Sequence, residues 1–125
     1  MRGKILLVDD DQPFRDAVKE VLEIEGYEII EAIDGLDALE QARQQDVNLV
    51  VTDILMPKLE GIELSKRLKK HKPDLKIIGM TGGGQMGAQV LMNICMEDDN
   101  FQAVLSKPFL IEDLITEVDK HMESP

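Results

Sequence analysis

Four short apolar runs, each ending on a residue able to do chemistry, punctuate this chain. Ile5-Leu6-Leu7-Val8 runs into Asp9 and Asp10, and Leu49-Val50-Val51-Thr52 into Asp53. Ile77-Ile78-Gly79-Met80 runs into Thr81, and Ala103-Val104-Leu105-Ser106 into Lys107 and Pro108. Runs this short and unbroken suit strands buried on both faces, as in a parallel sheet. They predict strands over residues 4–8, 48–53, 75–80 and 102–106, and residues 27–32 add another, closed by Asp34-Gly35. Between strands the period changes. Asp11-Gln12-Pro13 reads as a capping acid with proline in the first turn. Phe14, Ala17, Val18, Val21 and Leu22 follow at helical spacing, up to a stop at Gly26. Leu36, Leu39 and Ala42 mark a second helix, and residues 62–71 a third, stopped by Lys72-Pro73. A fourth is expected over about residues 86–96, weakened by Gly82, Gly83, Gly84 and Gly87. Ile111, Leu114, Ile115, Val118 and Met122 give the clearest amphipathic helix.

Five strands alternating with five helices predict an α/β fold: a doubly wound (βα)5 parallel sheet with helices on both faces. Such sheets bind ligands outside the carboxyl ends of their strands, where Asp9, Asp10, Asp53, Thr81 and Lys107 fall. A length of 125 residues predicts one domain, 1–125, with no further domain expected. The one cysteine, Cys95, allows no internal disulfide and reads as a small core residue in a reducing cytoplasm. The N-terminus is too short in apolar residues for a signal segment, and no run approaches a membrane span. The net charge of −11 disfavours nucleic acid and anionic lipid as partners.

Three carboxylates in one pocket repel. A pair about 4 Å apart costs on the order of 4 kcal/mol at an effective dielectric of about 20. A hard divalent cation relieves this, and Mg²⁺ needs only one or two carboxylates and keeps several waters. Lys107 adds a second positive charge and Thr81 a hydroxyl. These parts suit phosphoryl transfer, which needs charge stabilisation and positioning, with Asp53 as the nucleophile.

The chain resembles the receiver domain of two-component response regulators over nearly its whole length. Leu6-Leu7-Val8-Asp9-Asp10, Asp53-Ile54-Leu55-Met56-Pro57 with Gly61, Thr81-Gly82, and Lys107-Pro108-Phe109 carry the likeness through their order and spacing. The resemblance implies the flavodoxin-like strand order 2-1-3-4-5. It implies that Asp53 accepts a phosphoryl group from the phosphohistidine of a sensor histidine kinase or phosphotransfer protein. It implies Mg²⁺ (or Mn²⁺) on Asp9, Asp10, Asp53 and the backbone carbonyl of Leu55. Thr81 would bond the phosphoryl group and Lys107 would pair with it, next to a cis Lys107–Pro108 bond. Output would go to a target protein through the face of the fourth helix, fifth strand and fifth helix, with a homodimer as a further option. A carrier that passes phosphate along a relay, or a receiver cut from a larger regulator, are the alternatives.

Three features depart from that pattern. Val104 stands where many receivers carry Tyr or Phe, and a β-branched side chain stiff at χ1 does not swing as an aromatic does; Phe101, three residues earlier, is no simple substitute. Residues 96–101 are longer and more acidic than the usual turn, as a solvated loop would be. Leu55, two residues past Asp53, cannot orient an attacking water, which predicts slow loss of the phosphoryl group.

Two rival motifs are weaker. Gly82-Gly83-Gly84-Gln85-Met86-Gly87 fits the dinucleotide fingerprint, but only one strand follows it. Asp9-Asp10-Asp11 contains the D-x-D of haloacid dehalogenase phosphatases, but Pro13 stands where those carry Thr or Val. The methionines Met80, Met86, Met92 and Met96 read as core or adaptable surface. His71 and His121 sit at helix ends, where cap interactions are expected.

Overall fold

A computed structural model describes residues 2–54, 61–81 and 100–122. The elements run β1 (Lys4–Val8), α1 (Gln12–Ile24), β2 (Glu28–Ala32), α2 (Gly35–Gln44), β3 (Leu49–Asp53), α3 (Gly61–His71), β4 (Lys76–Thr81), β5 (Ala103–Ser106) and α4 (Ile111–Met122). All strand pairs are parallel, in the order β2-β1-β3-β4-β5. The helix expected over residues 86–96 lies outside the described residues, as do Leu55, Cys95 and the glycine-rich stretch.

Strand periodicity divides the core in two. Leu6, Val8, Val50, Ile54 and Ile77 face one side, where Ala38 of α2 and Leu64 and Leu68 of α3 cover them. Ile5, Leu7, Leu49, Val51, Ile78 and Met80 face the other, under Val18 and Leu22 of α1 and Leu114 and Val118 of α4. Because both faces are covered, the runs are apolar throughout rather than alternating.

The helix starts obey local chemistry. Asp11 caps α1 by accepting from the Phe14 amide, with Pro13 in the first turn. Asp34 caps α2, accepting from the Asp37 amide at 2.8 Å. Gly26 ends the α1 turn with φ +101°, a backbone region that favours glycine. Four strands begin one residue later than the apolar pattern suggests. Tyr27 and Leu75 explain two of these shifts: their amides bond back to the Leu22 and Lys72 carbonyls, at the close of the preceding helix. The Lys107–Pro108 bond is cis. No described helix is long and apolar enough to cross a membrane.

Candidate functional site

Strand register sets the site. Val8 pairs with Thr52, so the next residues, Asp9 and Asp53, leave adjacent strands at the same level. Asp53 pairs with Met80, one residue before Thr81, and Thr81 pairs with Ser106, one residue before Lys107. Sheet order alone therefore gathers residues nearly 100 positions apart.

One carboxylate oxygen from each of Asp9, Asp10 and Asp53 lies within 4.8 Å of the others. Asp9 is fully buried, Asp53 partly so, and Asp10 exposed. Oxygens around one octahedral Mg²⁺ lie about 3 Å apart when adjacent and about 4 Å when opposite, given Mg–O bonds of about 2.1 Å. The triad thus fits a hard cation with little adjustment or with water between.

Lys107 supplies a cation in the same place. Its Nζ donates to Asp9 Oδ2 at 2.9 Å and stands 3.5 Å from Asp53 Oδ2. Burial alone would depress its pKa, but the bond to Asp9 and the charge of Asp53 outweigh burial and raise it. The same ammonium lies 4.2 Å from the centre of the Phe14 ring, which meets Phe109 edge to face at 6.0 Å. Asp9 Oδ1 is occupied separately, by the Asp11 amide at 2.9 Å. Thr81 is fully buried, and its Oγ1 has no hydrogen-bond partner among the described residues. A buried hydroxyl left so costs about 1–3 kcal/mol, which an arriving acceptor would recover.

The expected side chains Asp9, Asp10, Asp53, Thr81 and Lys107 therefore share one sheet edge. The Leu55 carbonyl falls outside the described residues. Sequence reasoning missed Arg15. Its buried guanidinium donates to the Asp9 carbonyl at 2.6 Å and to Glu31 Oε1 at 3.0 Å. The signal was there, since Arg15, Val18 and Leu22 repeat at i, i+3 and i+7. Ala17, read as part of the buried face, is exposed instead. Val104 and Phe101 are both buried in the core on the α2–α3 side, with Phe101 against Gly79 of β4.

The sequence profile of the response regulator receiver domain matches residues 5–119. This chain belongs to that family. It is similar to the response regulator receiver protein CpdR of Brucella abortus (strain 2308), with 38% identity over 117 residues and 94% of each chain covered. A CheY-like receiver domain protein from Methanospirillum hungatei JF-1 superposes with a TM-score of 0.86 at 30% identity, covering 97% of this chain and 94% of that one. TrrA of Thermotoga maritima, solved in complex with Mg²⁺ and BeF, gives a TM-score of 0.82 at 33% identity over 94% and 97% of the two chains. The receiver spans about half the length of the mycobacterial MprA response regulators it also matches. Receivers act in two-component signalling, between histidine kinases and downstream effectors. The phosphatase and dinucleotide readings give way to this assignment.

Proposed function

We propose that Asp53 of this receiver accepts a phosphoryl group from the phosphohistidine of a sensor histidine kinase or a phosphotransfer protein. The observation that carries the reading is the position of the Asp53 carboxylate, inside an acidic triad and 3.5 Å from the Lys107 ammonium. An Asp53 oxygen attacks phosphorus, an acyl phosphate P–O bond forms, and the P–N bond to the donor histidine breaks. Lys107, released from Asp9, pairs with the phosphoryl oxygens. The Thr81 hydroxyl donates to one of them and so gains the partner it lacks. Asp9, Asp10 and Asp53, with the Leu55 carbonyl, would hold Mg²⁺ (or Mn²⁺), which supplies positive charge and coordination positions for phosphoryl oxygens when bound. The Mg²⁺–BeF complex of TrrA supports this reading.

The chain would act in the cytoplasm as a signalling phosphoacceptor, catalysing only its own phosphorylation and dephosphorylation. Leu55 offers no group to orient water, so the phosphoryl group would leave slowly. Output would pass to a target protein at the face of β5, the last helix and the helix expected before them. A second reading, a carrier that passes phosphate onward, is favoured by one observation: Val104 replaces the switching aromatic and Phe101 is locked in the core. Capture of a target only by the phosphorylated protein would support the switch, and transfer to a second histidine the carrier.

The deciding experiment is incubation with acetyl phosphate and Mg²⁺, read by intact mass. Wild type gains one phosphoryl group, and Asp53→Asn gains none. Absence of the adduct on wild type would overturn the proposal.

A further inference from the structure

Arg15 is the buried cation that the phosphoryl chemistry leaves unused. It sits in the first turn of α1 and is 8% exposed. Nη1 donates to the Asp9 carbonyl at 2.6 Å, and Nε donates to Glu31 Oε1 on β2 at 3.0 Å. Lys19, one turn further along α1, donates to Glu31 Oε2 at 3.1 Å. Glu31 thus braces two cations, and one of them grips the backbone between Asp9 and Asp10.

That grip falls at a sensitive place. Only Asp9, Asp10 and Asp11 join β1 to α1. Asp10 is exposed, so packing does not hold it, and its direction follows the plane of the Asp9–Asp10 peptide. The carbonyl of that peptide is the atom Arg15 holds. The Asp11 amide ties down the Asp9 side chain from the other end of the loop. Charge is not the purpose, because a guanidinium near the triad would discourage a second cation. Glu31 offsets that charge and leaves the hydrogen-bond geometry.

We propose that Arg15, braced by Glu31, is a positioning residue for the metal-binding acids: it locks the Asp9–Asp10 peptide so that both carboxylates meet the cation Asp53 shares. This rests on the reading of the triad as a divalent-metal site. Hydrogen-bond partners that orient metal ligands are typically worth about 10–100-fold in metal affinity.

The test is Mn²⁺ binding to the full chain, followed by the electron paramagnetic resonance signal of free Mn²⁺, with no phosphoryl donor present. Arg15→Gln raises the Kd about 10-fold or more. Glu31→Gln raises it by less, and Arg15→Lys restores part of the affinity because an ammonium still reaches the carbonyl. Val18→Ala, a core truncation on the same helix, lowers Tm and leaves the Kd unchanged. An Arg15→Gln protein that is folded by circular dichroism and binds Mn²⁺ as wild type does overturns the inference alone. Wild type that binds no Mn²⁺ overturns both this inference and the metal site beneath it. Should Arg15→Gln fail to fold, Glu31→Gln decides, and an unchanged Kd there overturns the proposal.

Discussion

Gly61 opens α3 with its amide on the Ile54 carbonyl at 2.9 Å. A Cβ at this position would stand 2.7 Å from both the Asp53 carbonyl oxygen and the Ile54 Cα. Both are backbone atoms, so neither yields as a flexible side chain would. The crowded backbone is that of Asp53, the proposed phosphoacceptor. Gly61→Ala therefore strains the site and the fold together. Overpacking of this kind costs about 1–3 kcal/mol. The urea midpoint should fall accordingly, and phosphorylation by acetyl phosphate should slow. A variant with a wild-type midpoint and rate would show that α3 shifts freely away from β3. Arg15 teaches the complementary lesson. Its long apolar stem lets a charged residue occupy a buried helix position, so a reading by hydrophobic letters passes over it and takes exposed Ala17 instead.

Elements were legible in the chain where burial was two-sided or helical period was strong. The five strands fall within a residue of their expected starts, and α4 follows the stripe of Leu114 and Val118. Strand order was not legible from pattern. Strands buried on both faces carry no mark of which neighbour they pair with, so 2-1-3-4-5 entered through the resemblance. The pairing of Lys107 with Asp9 depends on that order and was equally hidden. Elements also separate stability from chemistry. Leu114 of α4 is 1% exposed, belongs to the apolar core beneath α1 and α4, and is none of the polar residues of the site. Leu114→Ala should cost about 2–5 kcal/mol, measured by urea denaturation. Its mass gain with acetyl phosphate in native buffer should match wild type. Loss of phosphorylation in a still-folded Leu114→Ala protein would tie α4 packing to the site.

At the scale of the molecule, charge governs how stability responds to conditions. Burial pushes the His121 imidazole below its ordinary 6.5, Lys76 and Lys120 add to this, and Glu117 opposes it. A folded-state pKa below the unfolded one means the unfolded chain takes the proton first. Stability is then full above pH 6.5 and falls as pH drops from there through the lowered value. Glu31 acts later: burial would raise its pKa, but Lys19 and Arg15 lower it below 4.5, so its contribution is lost only under more acid conditions. Urea titrations between pH 7.5 and about 5 should show wild type losing more stability than His121→Gln; parallel curves would remove His121 from the account. The acidic triad sets a second dependence. A chain of net charge −11 holds three carboxylates together with one ammonium among them. If the triad is the divalent-metal site proposed above, its repulsion opposes folding without an ion, and a bound ion favours folding by mass action, about 2.7 kcal/mol at an ion concentration of 100 times Kd. Asp10→Asn should reverse sign between the two conditions. In EDTA it removes one repelling charge and melts above wild type. In Mg²⁺ wild type rises and the variant does not follow. Thermal melts of both proteins in EDTA and in Mg²⁺ decide the matter, and an equal Mg²⁺-induced rise in Tm for the two would place the ion elsewhere than at Asp10.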